Sequence, residues 1–334
     1  MYKKRSFLSY LGIYLRGLGM GAADVVPGVS GGTIAFISGI YEELLNTIKA
    51  FNISNIKSIP KEGVVSFWKK VNGTFVLALF AGIASSIISL ASIISGILEQ
   101  EGQTGQKIGL WSFFFGLIVA SILYIAKQIK DWSLKEIMGL IIGGSIAFYV
   151  TIAQVADNSE STLFLFFAGA IAISAMILPG ISGSFILVLL GAYQPVMKSI
   201  KELLSLLKNG EYGELLTASL PIIVFASGCI VGLLSFSRIL SFLFKNYEKL
   251  TLATLTGFMI GSLNKIWPWK EVLDTRINSD GKLIPTVTGN ITPSTFQNMY
   301  TMDSFVPYAI GFAVLGFALV FGLEYIGNKF KNEK

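Results

Sequence analysis

The chain has 334 residues, 53% of them hydrophobic and only 14% charged, with a formal net charge of +6. Soluble domains carry about 25% charged residues, so this composition excludes a soluble globular protein and describes an all-α chain that crosses a bilayer several times. The positive balance is what basic cytoplasmic loops produce, and it does not point to nucleic acid.

Along the chain, the cluster Lys3-Lys4-Arg5 precedes a short, glycine-interrupted apolar stretch that contains Arg16, so no cleavable signal is expected. The phrase Pro27-Gly28-Val29-Ser30-Gly31-Gly32 follows, then a connection from Lys49 to Lys70 with five lysines against Glu62. Charge-free spans are predicted at Gly73–Leu98, Ile108–Ala126 and Ile137–Ala156. In the first of them Ser86, Ser89, Ser92 and Ser95 recur every three residues between Gly82 and Gly96, a packing surface for a neighbouring helix. After the acidic Asp157 and Glu160 comes a second phrase, Pro179-Gly180-Ile181-Ser182-Gly183-Ser184. Spans are then predicted at Leu215–Ser237, at Leu250–Asn264 with Trp267 and Trp269 suited to an interfacial belt, and at Ser304–Leu323. Residues 270–303 form the one long polar stretch, with strand expected around Leu283–Val287.

The two phrases belong to a longer match. Adding 152 to Pro27, Gly28, Ser30, Gly31, Gly39 and Tyr41 gives Pro179, Gly180, Ser182, Gly183, Gly191 and Tyr193. A weaker echo, Gly116–Ser121 with Ile125, returns as Gly257–Ser262 with Ile266 at offset 141. Placing the basic connections in the cytoplasm makes every clear span alternate, with both termini inside. The first motif segment then starts and ends inside, and the second starts and ends outside. That is the parity of two inverted-topology repeats: residues 1–156 with a re-entrant hairpin around 24–48, and 157–334 with one around 178–198 and the extracytoplasmic loop 270–303.

Proline and glycine break helices, and hydrocarbon tolerates broken backbone only where protein or a water-filled cavity surrounds it. After each Pro-Gly a short apolar run, Ser30–Ile40 or Ile181–Ala192, is predicted to leave as a half-helix of about 17 Å. Two such helix N-termini meeting at mid-membrane would offer unpaired N–H groups to an anion. The residues expected to bind it are Gly28, Ser30, Gly31, Gly32, Thr33, Gly180, Ser182, Gly183 and Ser184, with Arg16 and Arg238 either as phosphate ligands or as interface anchors. The bland alternative is a pair of helix kinks with serine caps. Histidine is absent and Cys229 is the only cysteine, which removes phosphohistidine chemistry, histidine-ligated metals, an internal disulfide and a cysteine metal cluster. No cofactor, metal site or catalytic residue is expected. Proton or cation coupling would need a carboxylate, and Asp24 and Glu42 are the candidates, although either also reads as a turn cap or a solvated side chain.

The run Gly21-Ala22-Ala23-Asp24-Val25-Val26-Pro27-Gly28-Val29-Ser30-Gly31-Gly32-Thr33 resembles the signature of the bacterial and archaeal polyprenyl-phosphate transporters, once catalogued only as a domain of unknown function. Leu178–Ser184, Ser237-Arg238 and Trp267-Pro268-Trp269 are similar to further parts of that family, and the likeness covers essentially the whole chain. It implies a carrier in the cytoplasmic membrane that returns undecaprenyl phosphate to the inner leaflet for cell-wall synthesis. From the residues alone the expectation is broader, an anion-binding secondary transporter, which includes one for a small soluble anion. A homo-oligomer is compatible with either, and a lipid-phosphate enzyme is disfavoured.

Overall fold

The computed structural model describes residues 5–25, 29–98, 104–153, 156, 161–210, 212–277 and 283–332. The first half contains α1 (Phe7–Val25), α2 (Gly31–Ile37), α3 (Tyr41–Ala50), α4 (Ile53–Lys57), α5 (Ile59–Lys70), α6 (Gly73–Leu98), α7 (Gly105–Ala126) and α8 (Leu134–Ile152). The second half contains α9 (Thr162–Ile177), α10 (Gly183–Leu189), α11 (Tyr193–Asn209), α12 (Leu215–Ser262), β1 (Lys270–Ile277), β2 (Leu283–Asn290), α13 (Pro293–Tyr300) and α14 (Val306–Asn332). The protein is a mainly helical, multi-pass membrane protein. Among the described residues four helices are long and apolar enough to cross a bilayer, or five if α10 and α11, bent by 107°, count as one span.

Local chemistry sets several boundaries. Thr104 accepts from the Lys107 amide at the start of α7, and a reciprocal Ser133–Glu136 capping box starts α8. Helix α12 has 48 residues, about 72 Å at 1.5 Å per residue, more than twice a ~30 Å hydrocarbon core. It is broken at Tyr247, with φ −140° and ψ 45°. The sequence predicts a polar connection there, and the structure instead keeps helix on both sides of a single distorted residue. The polar residues still find partners, since Lys249 Nζ lies 2.9 Å from Asp131 Oδ2 in the α7–α8 connection.

Helix pairs meet at glycines, and their contacts recur at fixed offsets. An added Cβ on Gly17 would strike the Leu79 carbonyl, and one on Gly82 the Tyr14 carbonyl, where α1 crosses α6. Where α9 crosses α12, Gly169 faces the Phe225 carbonyl and Gly228 the Phe166 carbonyl. Gly169 and Phe166 are Gly17 and Tyr14 plus 152, while Phe225 and Gly228 are Leu79 and Gly82 plus 146. The same holds for the pairs α7–α14 and α12–α8: Gly116 abuts the Ala313 carbonyl and Gly257, 141 residues on, abuts that of Leu140. Gly316 on Phe113 and Gly143 on Thr254 complete this second set. Small residues permit such close backbone approach between membrane helices. In the serine stripe of α6, Ser86 is buried near Gly21 and Ser89 is exposed, and nothing lies within 4 Å of a Cβ added at Gly96. The side chains of Ser92 and Ser95 are outside the described residues.

Polar contacts sort the connections into the two sets that loop charge distinguishes. Arg5, Glu43 and Asn72 join the N-terminus, α3 and the start of α6. In the other set, Asn264 Nδ2 donates to Thr151 Oγ1 at 2.7 Å, and Asn290 Nδ2 donates to the Asn264 carbonyl at 2.8 Å. The polar loop is an antiparallel hairpin, Lys270 opposite Asn290 and Ile277 opposite Leu283, followed by α13. The two tryptophans just before it are tied to its far end. Trp269 Nε1 donates to the Ser304 carbonyl and Trp267 Nε1 to the Ile291 carbonyl, each at 2.8 Å. Loop carbonyls hold both indoles, and Trp269 packs with Ile108, Phe296 and Ala309 in a small core of its own.

Candidate functional site

Ser30 is extended (φ −125°, ψ 132°) and caps α2, its Oγ accepting from the Gly32 amide at 3.1 Å. The Gly31 amide donates to Asp24 Oδ1 at 2.7 Å, and the Thr33 amide to the Ser30 carbonyl at 2.9 Å. The first-turn donors expected to be bare are thus taken by the chain itself, most notably by a carboxylate. A Cβ on Gly31 would stand 2.5 Å from Asp24 Oδ2, so any larger residue would have to displace the carboxylate. Pro27 and Gly28 lie outside the described residues.

The two short helices end alike. Gly39 (φ +72°) and Gly191 (φ +68°) adopt the left-handed conformation that stops a helix. Their amides donate to Phe36 and Val188, and the following Ile40 and Ala192 amides to Ala35 and Leu187, each residue again separated from its counterpart by 152. Seven residues reach about 10 Å, so α2 and α10 are shorter than the runs predicted from Ser30–Ile40 and Ile181–Ala192.

The second motif differs from the first in what faces its first helical glycine. Gly183 stands where Gly31 does, but its Cβ would meet Met176 Cβ at 3.0 Å, and Met176 replaces Asp24 at the 152-residue offset. A thioether is a weak acceptor, and α10 has no side-chain cap. Buried Ser182 places Oγ 3.0 Å from Oγ of Ser184, which is exposed.

Among the described residues three hydrogen bonds join the two motif segments. Ser30 Oγ donates to the Met176 carbonyl at 3.2 Å, the Gly180 amide donates to Thr33 Oγ1 at 2.9 Å, and the Tyr41 hydroxyl donates to the Ile177 carbonyl at 2.9 Å. Tyr41 is buried edge-on to Phe36 and Phe244, with centroids 5.2 and 5.8 Å away. Ser30, Thr33 and Ser182 are themselves buried. The structure therefore brings Ser30, Gly32, Thr33 and Tyr41 of the first motif segment against Met176, Ile177 and Gly180 of the second, with Asp24 and Gly31 joined to each other on the first side and Ser182, Ser184 and Gly183 on the second.

Other candidates stand apart from that contact. Arg16, eight residues or about 12 Å before Asp24 on α1, lies within electrostatic reach of Arg5 and Glu43. Arg238 is exposed, and its guanidinium donates to the Leu234 carbonyl of its own helix at 3.1 Å. Glu42 is exposed too. Its neighbour Glu43 is the structural acid, gripped by both Arg5 nitrogens at 2.6 Å and by Asn72 Nδ2 at 2.7 Å. Sequence reasoning missed the roles of Tyr41, Met176 and Glu43. The matched spacing of Tyr41 and Tyr193 within the repeat was the available signal for the first.

Residues 20–284 match the model of the undecaprenyl phosphate translocase-like family. The polyprenyl-phosphate transporter of Vibrio cholerae serotype O1 is 43% identical over 323 residues, covering 96% of this chain and 98% of that protein. That of Staphylococcus aureus is 32% identical over 269 residues, covering 76% and 85%. No solved structure matches the chain. With most of its length inside one family model and a relative of this identity across nearly all of it, the chain belongs to the undecaprenyl phosphate translocase-like family.

Proposed function

We propose that this protein carries polyprenyl phosphate, undecaprenyl phosphate in particular, across the cytoplasmic membrane and returns it to the inner leaflet for reuse. The observation that carries the reading is the direct hydrogen bonding of the two duplicated motifs, 136 to 147 residues apart in sequence. A phosphate on an isoprenoid tail needs polar donors at membrane depth, while the tail stays in lipid. Glycine-rich helix starts supply such donors without a fixed positive charge. The names of the relatives supply the lipid.

In this reading residues 1–156 and 157–334 are inverted repeats with α2 and α10 as the re-entrant half-helices, and transport is alternating access. The contact described above is its closed form. The first motif must release the Asp24 carboxylate before its amides can hold phosphate, which makes Asp24, rather than exposed Glu42, the favoured coupling group for a proton or cation. The second motif, uncapped and reached through exposed Ser184, receives the head group. Arg238, on an exposed face, and Arg16 would meet the phosphate only as the motifs separate.

Reconstitution in proteoliposomes tests this. We expect Ser30→Ala/Ser182→Ala to lower the rate of polyprenyl-phosphate translocation by about tenfold or more, since a hydrogen bond to a charged group is worth about 1.5–3 kcal/mol. An unchanged rate in a folded double variant would refute the motif site, and competition by free phosphate would favour a soluble-anion carrier.

A further inference from the structure

The face that carries the β-hairpin holds two lysines without an acidic partner in any ion pair among the described residues. Lys270 begins β1, is only 7% exposed, and donates from Nζ to Asn290 Oδ1 at 3.1 Å. Asn290 is neutral, and its own amide is fixed by the Asn264 carbonyl and Oδ1, both at 2.8 Å, so its oxygen is presented to the lysine. Lys265 Nζ lies 4.2 Å from the ring centroid of Phe185, the third residue of α10 and the neighbour of Ser184. Trp111 lies 5.9 Å from Lys270 Nζ, and buried Lys107 is one turn earlier on the same face of α7. Glu271, which alternation along the strand turns to the opposite side of β1, rests against Gly289.

Buried lysines are rare unless paired, and here one amide oxygen and aromatic faces replace the usual carboxylate. Burial, and then the neighbouring Lys265, hold the Lys270 ammonium down to about 7, and burial lowers Lys265 as well. A buried cation that is depressed by a neighbouring cation gains most from an anion brought to it.

We propose that Lys265 and Lys270 form an anion-binding site beside the second motif and that its ligand is a phosphate monoester. That the phosphate belongs to a lipid rests on the transport reading above. The site would lie on the extracytoplasmic side and take the head group before Ser184 and Ser182 do. Ammonium groups pair with phosphate as compact point charges and impose little geometry, which suits a capture site that must also let go.

The test is calorimetric titration of the purified full-length protein in detergent with farnesyl phosphate and, separately, with inorganic phosphate, for wild type, K265M, K270M and K265M/K270M. Thermal unfolding of each variant checks the fold. We expect the double variant to bind farnesyl phosphate at least about tenfold more weakly, because a single charge-assisted hydrogen bond accounts for about that factor in affinity. Equal affinity in a folded double variant overturns the site, as does a wild type that binds neither probe. Binding of inorganic phosphate alone, abolished in the variants, keeps the site and removes its lipid assignment. Should K270M fail to fold, K265M decides alone, because a methionine still covers Phe185 without the charge. The transport reading is judged separately by the proteoliposome rate, so each claim can fail without the other.

Discussion

Gly32→Ala will force the two motifs apart and depress translocation by ~10-fold or more, the consequence of 1–3 kcal/mol of overpacking at the contact. The added methyl would sit 2.8 Å from the Ile177 carbonyl oxygen and 2.9 Å from that of Met176, both backbone atoms with nowhere to turn. These carbonyls are the acceptors of Tyr41 and Ser30, so the same displacement weakens two hydrogen bonds joining the motifs. Helix propensity alone would favour alanine by up to ~1 kcal/mol, which makes a loss of activity diagnostic of contact and not of local helix stability. A transport rate within twofold of wild type in proteoliposomes would show that the motifs do not work pressed together.

Gly116→Ala will lower thermal stability sharply, by ~2 kcal/mol or more, because the backbones of α7 and α14 would have to separate. Gly257→Ala, its counterpart at the α12–α8 crossing, should behave alike. Gly311 on α14 provides the control: nothing lies within 4 Å of a Cβ built there, so alanine should be neutral or raise stability by up to ~1 kcal/mol. Detergent-solubilised melting curves of the three variants separate the cases. Equal shifts at Gly116 and Gly311 would mean that close approach of the carbonyl is not what selects glycine.

Much of this arrangement is readable from residue order. Charge-free runs mark α6, α7 and α8, and loop charge sorts the connections into the two sets that polar contacts later join. Spacing in sequence also anticipates a partnership between the motifs, because a phrase repeated at a constant offset has few reasons to exist twice. Where the reading falls short, the cause is a contact with no local signature. Asp24 is visible as an acid near a helix start, but that it bonds the Gly31 amide depends on the angle between α1 and α2. Trp267 and Trp269 read as belt residues, and nothing local announces that the Ile291 and Ser304 carbonyls hold their indole N–H groups. The break at Tyr247 is not announced by proline or glycine, and the lengths of α2 and α10 follow from left-handed glycines whose conformation composition does not dictate.

The exchange of Asp24 for Met176 has a consequence of its own. On the inverted-repeat, alternating-access reading proposed above, two equivalent units, one upside down, would rest facing either leaflet with equal free energy. One carboxylate on one amide lifts that degeneracy: a charge-assisted bond is worth about 1.5–3 kcal/mol, and about 1.4 kcal/mol already tilts a two-state occupancy tenfold. Because protonation would weaken that bond, the same proposal makes the acidity of the medium set how long the empty carrier waits on each side.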